Sequence, residues 1–140
     1  MGCSGVLFQP RSTVAAGVGA GLLRSQEHRD SLKAATCYVS TLNDLNRFEE
    51  AKTLSRRSIP VARRTLGNSD HLTLQMKSNY AIALCKDDGA TLDDLREAVT
   101  TLEETERTAR RVLGGAHPDV VRIELALRES QAALDATRSS

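Results

Sequence analysis

The residues that could ligate a metal or transfer a proton are few and widely spaced. The three histidines are His28, His71 and His117, and each lies at or near the start of a segment with helical periodicity. Helices packed side by side lie about 10 Å apart, whereas zinc ligands converge to about 2 Å from one ion. We therefore expect the histidines to be polar residues at helix starts, and we predict no metal site.

The cysteines and acidic residues do not form the pattern of an active site either. Cys37 and Cys85 have no histidine and acid beside them in the sequence, and we predict small buried hydrophobic roles for both. Three widely spaced cysteines fit a reduced intracellular protein better than a disulfide scaffold. The aspartates between residues 87 and 94 lack the alternating ligand spacing of a calcium loop. We predict neither enzymatic activity nor a cofactor.

Charge and hydropathy exclude two further classes of partner. The formal net charge is +1, from 19 basic and 18 acidic residues, and aromatic residues make up only 3% of the chain. Nucleic-acid-binding proteins need a basic surface, and those that bind single strands also use stacking aromatics. No apolar run approaches the 18 residues that suggest a membrane span. We predict no nucleic-acid partner and no membrane span.

The spacing of apolar residues predicts five helices, which begin near His28, Phe48, His71, Thr91 and Pro118. Thr91 is a predicted N-cap, with Asp94 completing a capping box. Pro60 lies inside the second helix, where we expect a kink or a break. We expect the fifth helix to fray from Ala136. The predicted core positions of the first and fourth helices include Leu32, Ala35, Val39, Leu42, Leu45, Leu95, Ala98, Leu102, Ala109, Val112 and Leu113.

These helices belong to a repeat. The segment 63–67 aligns with 110–114 at an offset of 47 residues, and Tyr38 and Leu42 align with Tyr80 and Leu84 at an offset of 42. One helix pair cannot bury its apolar face alone, so a recurring pair is typical of a stacked array. We predict an all-α fold, an α-solenoid of about two and a half antiparallel helix-pair repeats.

We predict three regions: residues 1–26 as a flexible or targeting-like segment, 27–136 as the helical repeat domain, and 137–140 as a tail. The first region is rich in Gly, Ala and Ser and has no acidic residue. It fits a poorly ordered lead-in or a transit peptide, and a lipid anchor at Gly2 and Cys3 less well because Val6 departs from the myristoylation pattern. We expect a cytoplasmic protein, with organelle import through this segment left open.

Several motifs resemble tetratricopeptide repeats of the kinesin-light-chain type. The segment Leu113-Gly-Gly-Ala-His-Pro-Asp119 is similar to the link between successive repeats of that family. The segments Arg47-Phe-Glu-Glu-Ala51 and Leu95-Arg-Glu-Ala98 are similar to its second-helix signature, and Asn79-Tyr-Ala81 to its first-helix signature. The resemblance covers residues 28 to about 127. In the middle link, Asp70, His71 and Leu72 replace the family's His-Pro-Asp.

This resemblance implies an interaction module whose first helices line a concave groove that binds a partner protein or peptide. Asn79 is the best single candidate, because its amide can both donate to and accept from a peptide backbone. The other groove positions carried over are Lys33, Thr36, Ser40, Asn43, Gln75, Ser78, Ile82 and Lys86. Two alternatives remain open: a structural repeat that self-associates through its unpaired C-terminal helix, and part of a longer array without independent binding.

Overall fold

The computed structural model describes the backbone of residues 20–139 and the side chains of residues 28–139. Over this range the chain forms five α-helices and no strand. The helices are α1 (Ala20–Asp44), α2 (Phe48–Thr65), α3 (His71–Lys86), α4 (Leu92–Leu113) and α5 (Pro118–Ser139). The predicted all-α fold is confirmed. The proposals for residues 1–19 fall outside the described residues and stay predictions.

Helix boundaries agree with the local signals at every start except the first. Thr91 caps α4, and the reciprocal hydrogen bonds with Asp94 complete the predicted capping box. In contrast, α1 begins at Ala20 rather than near His28, because the segment that follows is rich in strong helix formers such as Leu and Arg. The last helix continues to Ser139 instead of fraying from Ala136.

The helices stack in two layers. Each helix packs on the next one in sequence, and α3 also packs on both α1 and α5. The first helices of the pairs (α1, α3 and α5) therefore form one layer, and the second helices (α2 and α4) form the other. This is the arrangement of a helical solenoid, in which each unit buries its apolar face against its neighbours.

The core is centred on α3, where Leu74, Met76 and Leu84 are almost fully buried. Alanines are prominent in this core. Six of them have no exposed surface: Ala51, Ala62, Ala81, Ala83, Ala98 and Ala109. Small side chains let helix backbones approach closely, which suits a core with few aromatic residues.

Two predicted core positions are wrong. Leu45 is 59% exposed and Val112 is 47% exposed. Leu45 lies just beyond the end of α1, in the turn before α2. Val112 lies about 60° around α4 from Ala109, because each residue turns the helix by about 100°, so it falls at the edge of the buried face.

Pro60 does not break α2, which runs from Phe48 to Thr65 without interruption. A break at Pro60, one of the two predicted outcomes, is therefore wrong. Pro60 itself is exposed, while Ser58 and Ala62 on either side of it are buried and Ile59 packs against two parts of the core. These contacts hold the helix together across the missing backbone N–H.

The two links between repeats have the same backbone geometry. Gly67 and Gly114 have φ values of 94° and 93°, in the region that favours glycine. The turn after each glycine is closed by one backbone hydrogen bond, from Asp70 N to Gly67 O (3.4 Å) and from His117 N to Gly114 O (3.2 Å). The links are therefore structurally equivalent although their sequences differ.

The caps that follow these turns are equivalent as well. The Asp70 carboxylate accepts a hydrogen bond from Leu72 N (3.0 Å). At the matching position, His117 Nδ1 accepts from Asp119 N (3.1 Å). Each side chain satisfies one of the unpaired N–H groups at a helix start. The middle link thus replaces a histidine cap by an aspartate cap and keeps the function of the position.

Candidate functional site

The layer of first helices bounds an open cavity of about 300 Å³. Six of the nine positions proposed for the groove line this cavity, and they come from α1 and α3: Ser40, Asn43, Ser78, Asn79, Ile82 and Lys86. The solenoid brings them together because α1 and α3 lie side by side in one layer. Residues separated by about 40 positions in sequence therefore face one space.

Three proposed positions do not line the cavity. Lys33 is exposed outside it. Thr36 is 7% exposed, and its hydroxyl donates to Leu32 O within α1 (2.8 Å). Gln75 points to the link instead, where its Nε2 lies 3.4 Å from Asp119 Oδ2. The cavity therefore begins at Ser40 on α1 and at Ser78 on α3, closer to the C-terminal ends of these helices than the proposed positions implied.

Two asparagines form the polar floor of the cavity. Asn43 Nδ2 donates to the backbone oxygen of Asn79 (3.1 Å), which ties α1 to α3. The Oδ1 atom of Asn43 is buried and has no hydrogen-bond partner. Asn79 is 8% exposed, and its side-chain amide is not hydrogen-bonded to any of the side chains or backbone groups described. The floor thus offers the Asn79 carboxamide for bonding, whereas the Asn43 oxygen is enclosed within the protein.

The fifth helix supplies a wall that was not predicted. Its lining residues are Arg122, Ile123, Leu125, Ala126 and Glu129. The offset of 47 residues between the links aligns Ser78 with Leu125 and Asn79 with Ala126. That offset could have identified the wall from the sequence had it been extended into the unpaired helix.

The rim of the cavity carries charges of both signs. Asp44 and Glu129 are acidic, while Lys86 and Arg122 are basic. The apolar surface lies between them, contributed by Ile82 on α3 and Leu125 on α5. Two charges of each sign produce no strong field, so shape and hydrogen bonding must dominate recognition here.

A buried lysine joins the two repeats away from the cavity. Lys52 is 5% exposed, and its Nζ lies 2.8 Å from Asp87 Oδ2 and 2.8 Å from Glu49 Oε2. Burial alone would lower the pKa of Lys52, but the hydrogen bonds to both carboxylates outweigh it and raise that pKa. The hydrogen bond from Lys52, helped by the backbone N–H of Gly89, lowers the pKa of Asp87. This is a structural pair rather than a catalytic one, because neither group lines the cavity.

Tyr80 connects three helices. Its hydroxyl donates to Glu97 Oε2 on α4 (2.7 Å), and Arg56 Nε on α2 donates to the hydroxyl oxygen (3.4 Å). The Arg56 guanidinium also lies over the ring, 5.7 Å from its centre. Burial and the hydrogen bond to Glu97 raise the pKa of Tyr80, so the hydroxyl keeps its proton and its donor role.

The expected separation of the histidines is wrong for one pair. The rings of His71 and His117 lie 5.8 Å apart in an edge-to-face arrangement, because α5 packs on α3 directly and brings their starts together. His71 Nε2 lies within hydrogen-bond distance of Asp119 Oδ2. Burial would raise the pKa of Asp119, but the hydrogen bond with His71 and the nearby basic groups together outweigh it and lower that pKa.

This contact belongs to the link between the repeats. His117 Nδ1 accepts the backbone N–H of Asp119, so this nitrogen is already engaged in the cap of α5. Between residues 28 and 139, no group of three or more His, Cys, Asp and Glu side chains is arranged to hold a metal.

Cys85 is half-buried, whereas Cys37 is exposed, so the buried role predicted for Cys37 is wrong. No helix among the described residues is long and apolar enough to cross a membrane.

One protein-family model matches the chain, the tetratricopeptide repeat, over residues 39–73. The match runs from the later turns of α1 through α2 and the Gly67 link into α3. No curated protein and no solved structure matches. The family is characterised by helix-pair repeats that mediate protein–protein contacts and are typically non-catalytic. The family match and the stacked helix pairs together support a tetratricopeptide-type repeat protein.

Proposed function

We propose that this protein binds a segment of a partner protein in the cavity formed by α1, α3 and α5. The observation that carries the proposal is Asn79 on the cavity floor. Its side-chain amide lines the open cavity and makes no bond with the described residues. Polar groups of largely buried side chains are normally hydrogen-bonded, so this amide is a place where a ligand can bond.

An extended peptide fits this chemistry. Its backbone presents an N–H and a C=O at regular intervals, and the Asn79 amide can accept the first and donate to the second. These contacts recognise the backbone and so tolerate different sequences. Discrimination between peptides would come from the apolar wall, where Ile82 and Leu125 can enclose one aliphatic side chain.

The cavity volume supports a short ligand segment. About 300 Å³ is at the lower end of the range for ligand pockets, enough for a few residues of peptide. Two hydrogen bonds contribute about 1–3 kcal/mol and one buried apolar side chain about 1.5–3 kcal/mol, so we expect weak affinity, in the high micromolar to millimolar range. We further propose that the repeats are of the kinesin-light-chain type and act in the cytoplasm, because the link and second-helix motifs resemble that type.

The test is a change that removes the amide without disturbing the fold. Peptides selected on the full chain from a random library would be measured against the Asn79→Ala variant by fluorescence anisotropy. We expect affinity to fall about 5- to 100-fold, since two hydrogen bonds contribute about 1–3 kcal/mol. The melting temperature should stay close to that of the wild type, because the side chain loses no bond to the described residues.

Asn68→Ala is the matched control. Asn68 is an exposed amide on the link between α2 and α3, outside the cavity, so its loss should leave peptide affinity unchanged. Equal affinity for the wild type and Asn79→Ala would refute the groove assignment. A similar loss in both asparagine variants would show that the peptide binds elsewhere.

A further inference from the structure

One face of α1 is open although the equivalent face of α3 is buried. Tyr38 and Leu45 are 53% and 59% exposed, and Thr41 between them is exposed as well. Together with Ala34 they are spaced four, three and four residues apart, which places them along one side of a helix. We call these four residues the outer face of α1. The exposure of three of them means that no described element covers this face.

The offset of 42 residues aligns the outer face with a face of α3 that has a partner helix. Its counterparts on α3 are Met76, Tyr80, Ala83 and Asp87. Met76 and Ala83 have no exposed surface, and α2 covers this side of α3 with apolar contacts and with hydrogen bonds to Tyr80 and Asp87. In an array of equivalent units the same face meets the same kind of neighbour. The first described helix therefore presents, without a partner, the face that α3 uses to bind α2.

Two of the three members of a polar cluster recur at the outer face. In the inner repeat, Arg56 of α2 donates to the Tyr80 hydroxyl (3.4 Å), which donates to Glu97 (2.7 Å). The offsets of 42 and 47 align Tyr38 with Tyr80 and Glu50 with Glu97. Both Tyr38 and Glu50 line one open groove of about 360 Å³ between α1 and α2. No described helix precedes α1, so the arginine that α2 supplies to Tyr80 has no described counterpart at Tyr38.

We propose that the outer face of α1 binds an amphipathic helix of a partner protein, in the place that α2 occupies against α3. The partner helix carries an arginine that takes the position of Arg56. There its guanidinium bonds the Tyr38 hydroxyl and the Glu50 carboxylate and lies over the Tyr38 ring. The apolar side of the helix covers Leu45 and Ala34, as expected when an amphipathic helix binds in a groove.

The differences between the two faces specify the partner further. Lys52 of α2 pairs with Asp87, but α1 has Leu45 in the place of Asp87, so the partner helix needs an aliphatic residue four positions before its arginine. Arg57 lines the groove seven residues after Glu50. Helices joined by short links are antiparallel, so a helix in this place is parallel to α2, and the residue seven positions after its arginine faces Arg57. An acid is favourable there.

The charges of the groove are available to a partner. Arg57 is exposed and forms no ion pair with the described residues. Glu50 pairs with Arg47, and both side chains are about half exposed. Exposed pairs of this kind contribute little to stability, so an arginine of the partner can replace Arg47. The groove shares no lining residue with the cavity proposed for the peptide, and the inference does not depend on that function.

The test uses a probe whose chemistry is taken from α2, the helix that fills the equivalent place. The probe is a fluorescently labelled synthetic peptide of residues 48–66 that contains Lys52→Leu and Arg63→Glu, the two changes that match it to the outer face. Pro60→Ala is added to favour an isolated helix. Fluorescence anisotropy measures its binding to the full chain from about 1 µM to about 1 mM, the range of weak association. We expect saturable binding within this range.

Two variants of the full chain locate the binding. Tyr38→Ala removes the ring from the outer face, and Glu50→Arg reverses the charge that receives the arginine, so each should weaken binding by about fivefold or more. A second peptide that also contains Arg56→Glu should bind Glu50→Arg about fivefold or more tightly than it binds the wild type, because opposite charges meet again.

Val121→Ala is the control, since Val121 is similarly exposed (51%) but lies on α5 at the other end of the array, and it should leave binding unchanged. Circular dichroism should show native helix content for every variant of the chain, because each altered side chain is exposed. Asn79→Ala should also bind the helical probe normally, which separates this site from the cavity. Failure here would therefore leave the proposed function standing.

The proposal would be overturned by a probe that does not bind at about 1 mM, or by equal binding to Tyr38→Ala and the wild type. Stronger binding to Arg11→Glu, which changes the only arginine of residues 1–19, would show that this part of the chain competes for the groove, and would overturn it as well. So would a dimer in sedimentation velocity that Tyr38→Ala dissociates, because a second copy would then cover the outer face.

Discussion

At the scale of single residues, Tyr80 shows how a sparse aromatic content is used. It is 7% exposed and joins α2, α3 and α4 through one hydroxyl and one ring. The other tyrosine, Tyr38, occupies the equivalent position of α1 at an offset of 42 residues but is 53% exposed. The difference arises because α3 lies between α1 and α5 in its layer, whereas among the described helices only α3 lies beside α1 in that layer.

This pair of tyrosines allows a matched prediction. Tyr80→Phe removes the hydroxyl and leaves Glu97 and Arg56 without their shared partner, so we expect a loss of about 0.5–1.5 kcal/mol in the free energy of unfolding. Tyr38→Phe should change stability by less than about 0.5 kcal/mol. Urea unfolding followed by circular dichroism measures both. Equal effects at the two positions would show that the hydroxyl network contributes nothing to stability.

At the scale of elements, the helix boundaries were predictable because they depend on local chemistry. Thr91 with Asp94, Gly67 and Gly114, and Pro118 each mark a helix end within a few residues, and the structure has helix ends at all of them. The unbroken α2 was not predictable in this way. Its continuity depends on packing of Ile59 and Ala62 against other helices, which a rule about proline in isolation does not include.

Replacing Pro60 should therefore increase the stability of the fold. Pro60→Ala should restore the backbone hydrogen bond to the Arg56 carbonyl and raise the free energy of unfolding by about 1–3 kcal/mol. Pro118→Ala is the control, because Pro118 is the first residue of α5, where no intrahelical N–H bond is lost, and we expect no gain. Thermal unfolding measures both variants. A destabilised Pro60→Ala would show that the ring itself packs in a way that alanine cannot replace.

At the scale of the whole molecule, two ionised aspartates connect successive repeats. Asp87, in the loop after α3, pairs with Lys52 on α2, and Asp119 at the start of α5 pairs with His71 on α3. Both carboxylates have lowered pKa values in the fold. A lowered pKa contributes stability that is fully present above the unfolded value of about 3.9 and is lost as the pH falls through the folded value.

We therefore expect the free energy of unfolding to be nearly level from pH 7 to about pH 5 and to fall steeply below about pH 4. In Lys52→Met, Asp87 loses the partner that lowers its pKa most and keeps the Gly89 N–H, so the fall should be shallower, starting from a lower stability at pH 7. Lys33→Met is the control, since Lys33 is exposed and forms no ion pair with the described residues. Urea unfolding at a series of pH values tests this, and an unchanged slope in Lys52→Met would contradict it.

Arrangements that depend on how helices stack were the hardest to predict. The internal repeat in the sequence was enough to predict the all-α architecture. The nine groove positions came from the family resemblance, and six of them line the cavity, while their role in binding stays a prediction. The repeat was not enough for the contact between His71 and His117, which exists because α5 lies directly against α3. Thr36 and Gln75 do not line the cavity because each side chain bonds elsewhere, Thr36 to Leu32 O and Gln75 to Asp119 Oδ2. Periodicity indicates which side of a helix is inward, but it does not indicate what meets that side.

The equivalence of the two links has a consequence for how such a chain can change in length. The stretch from Gly67 to Gly114 starts and finishes with the same φ, the same closing hydrogen bond and the same capping geometry. A copy of that stretch inserted in frame would join its neighbours through a turn that already exists twice. Duplication at these glycines would need no new type of turn, and the added helices would have the same orientations as the helices before them.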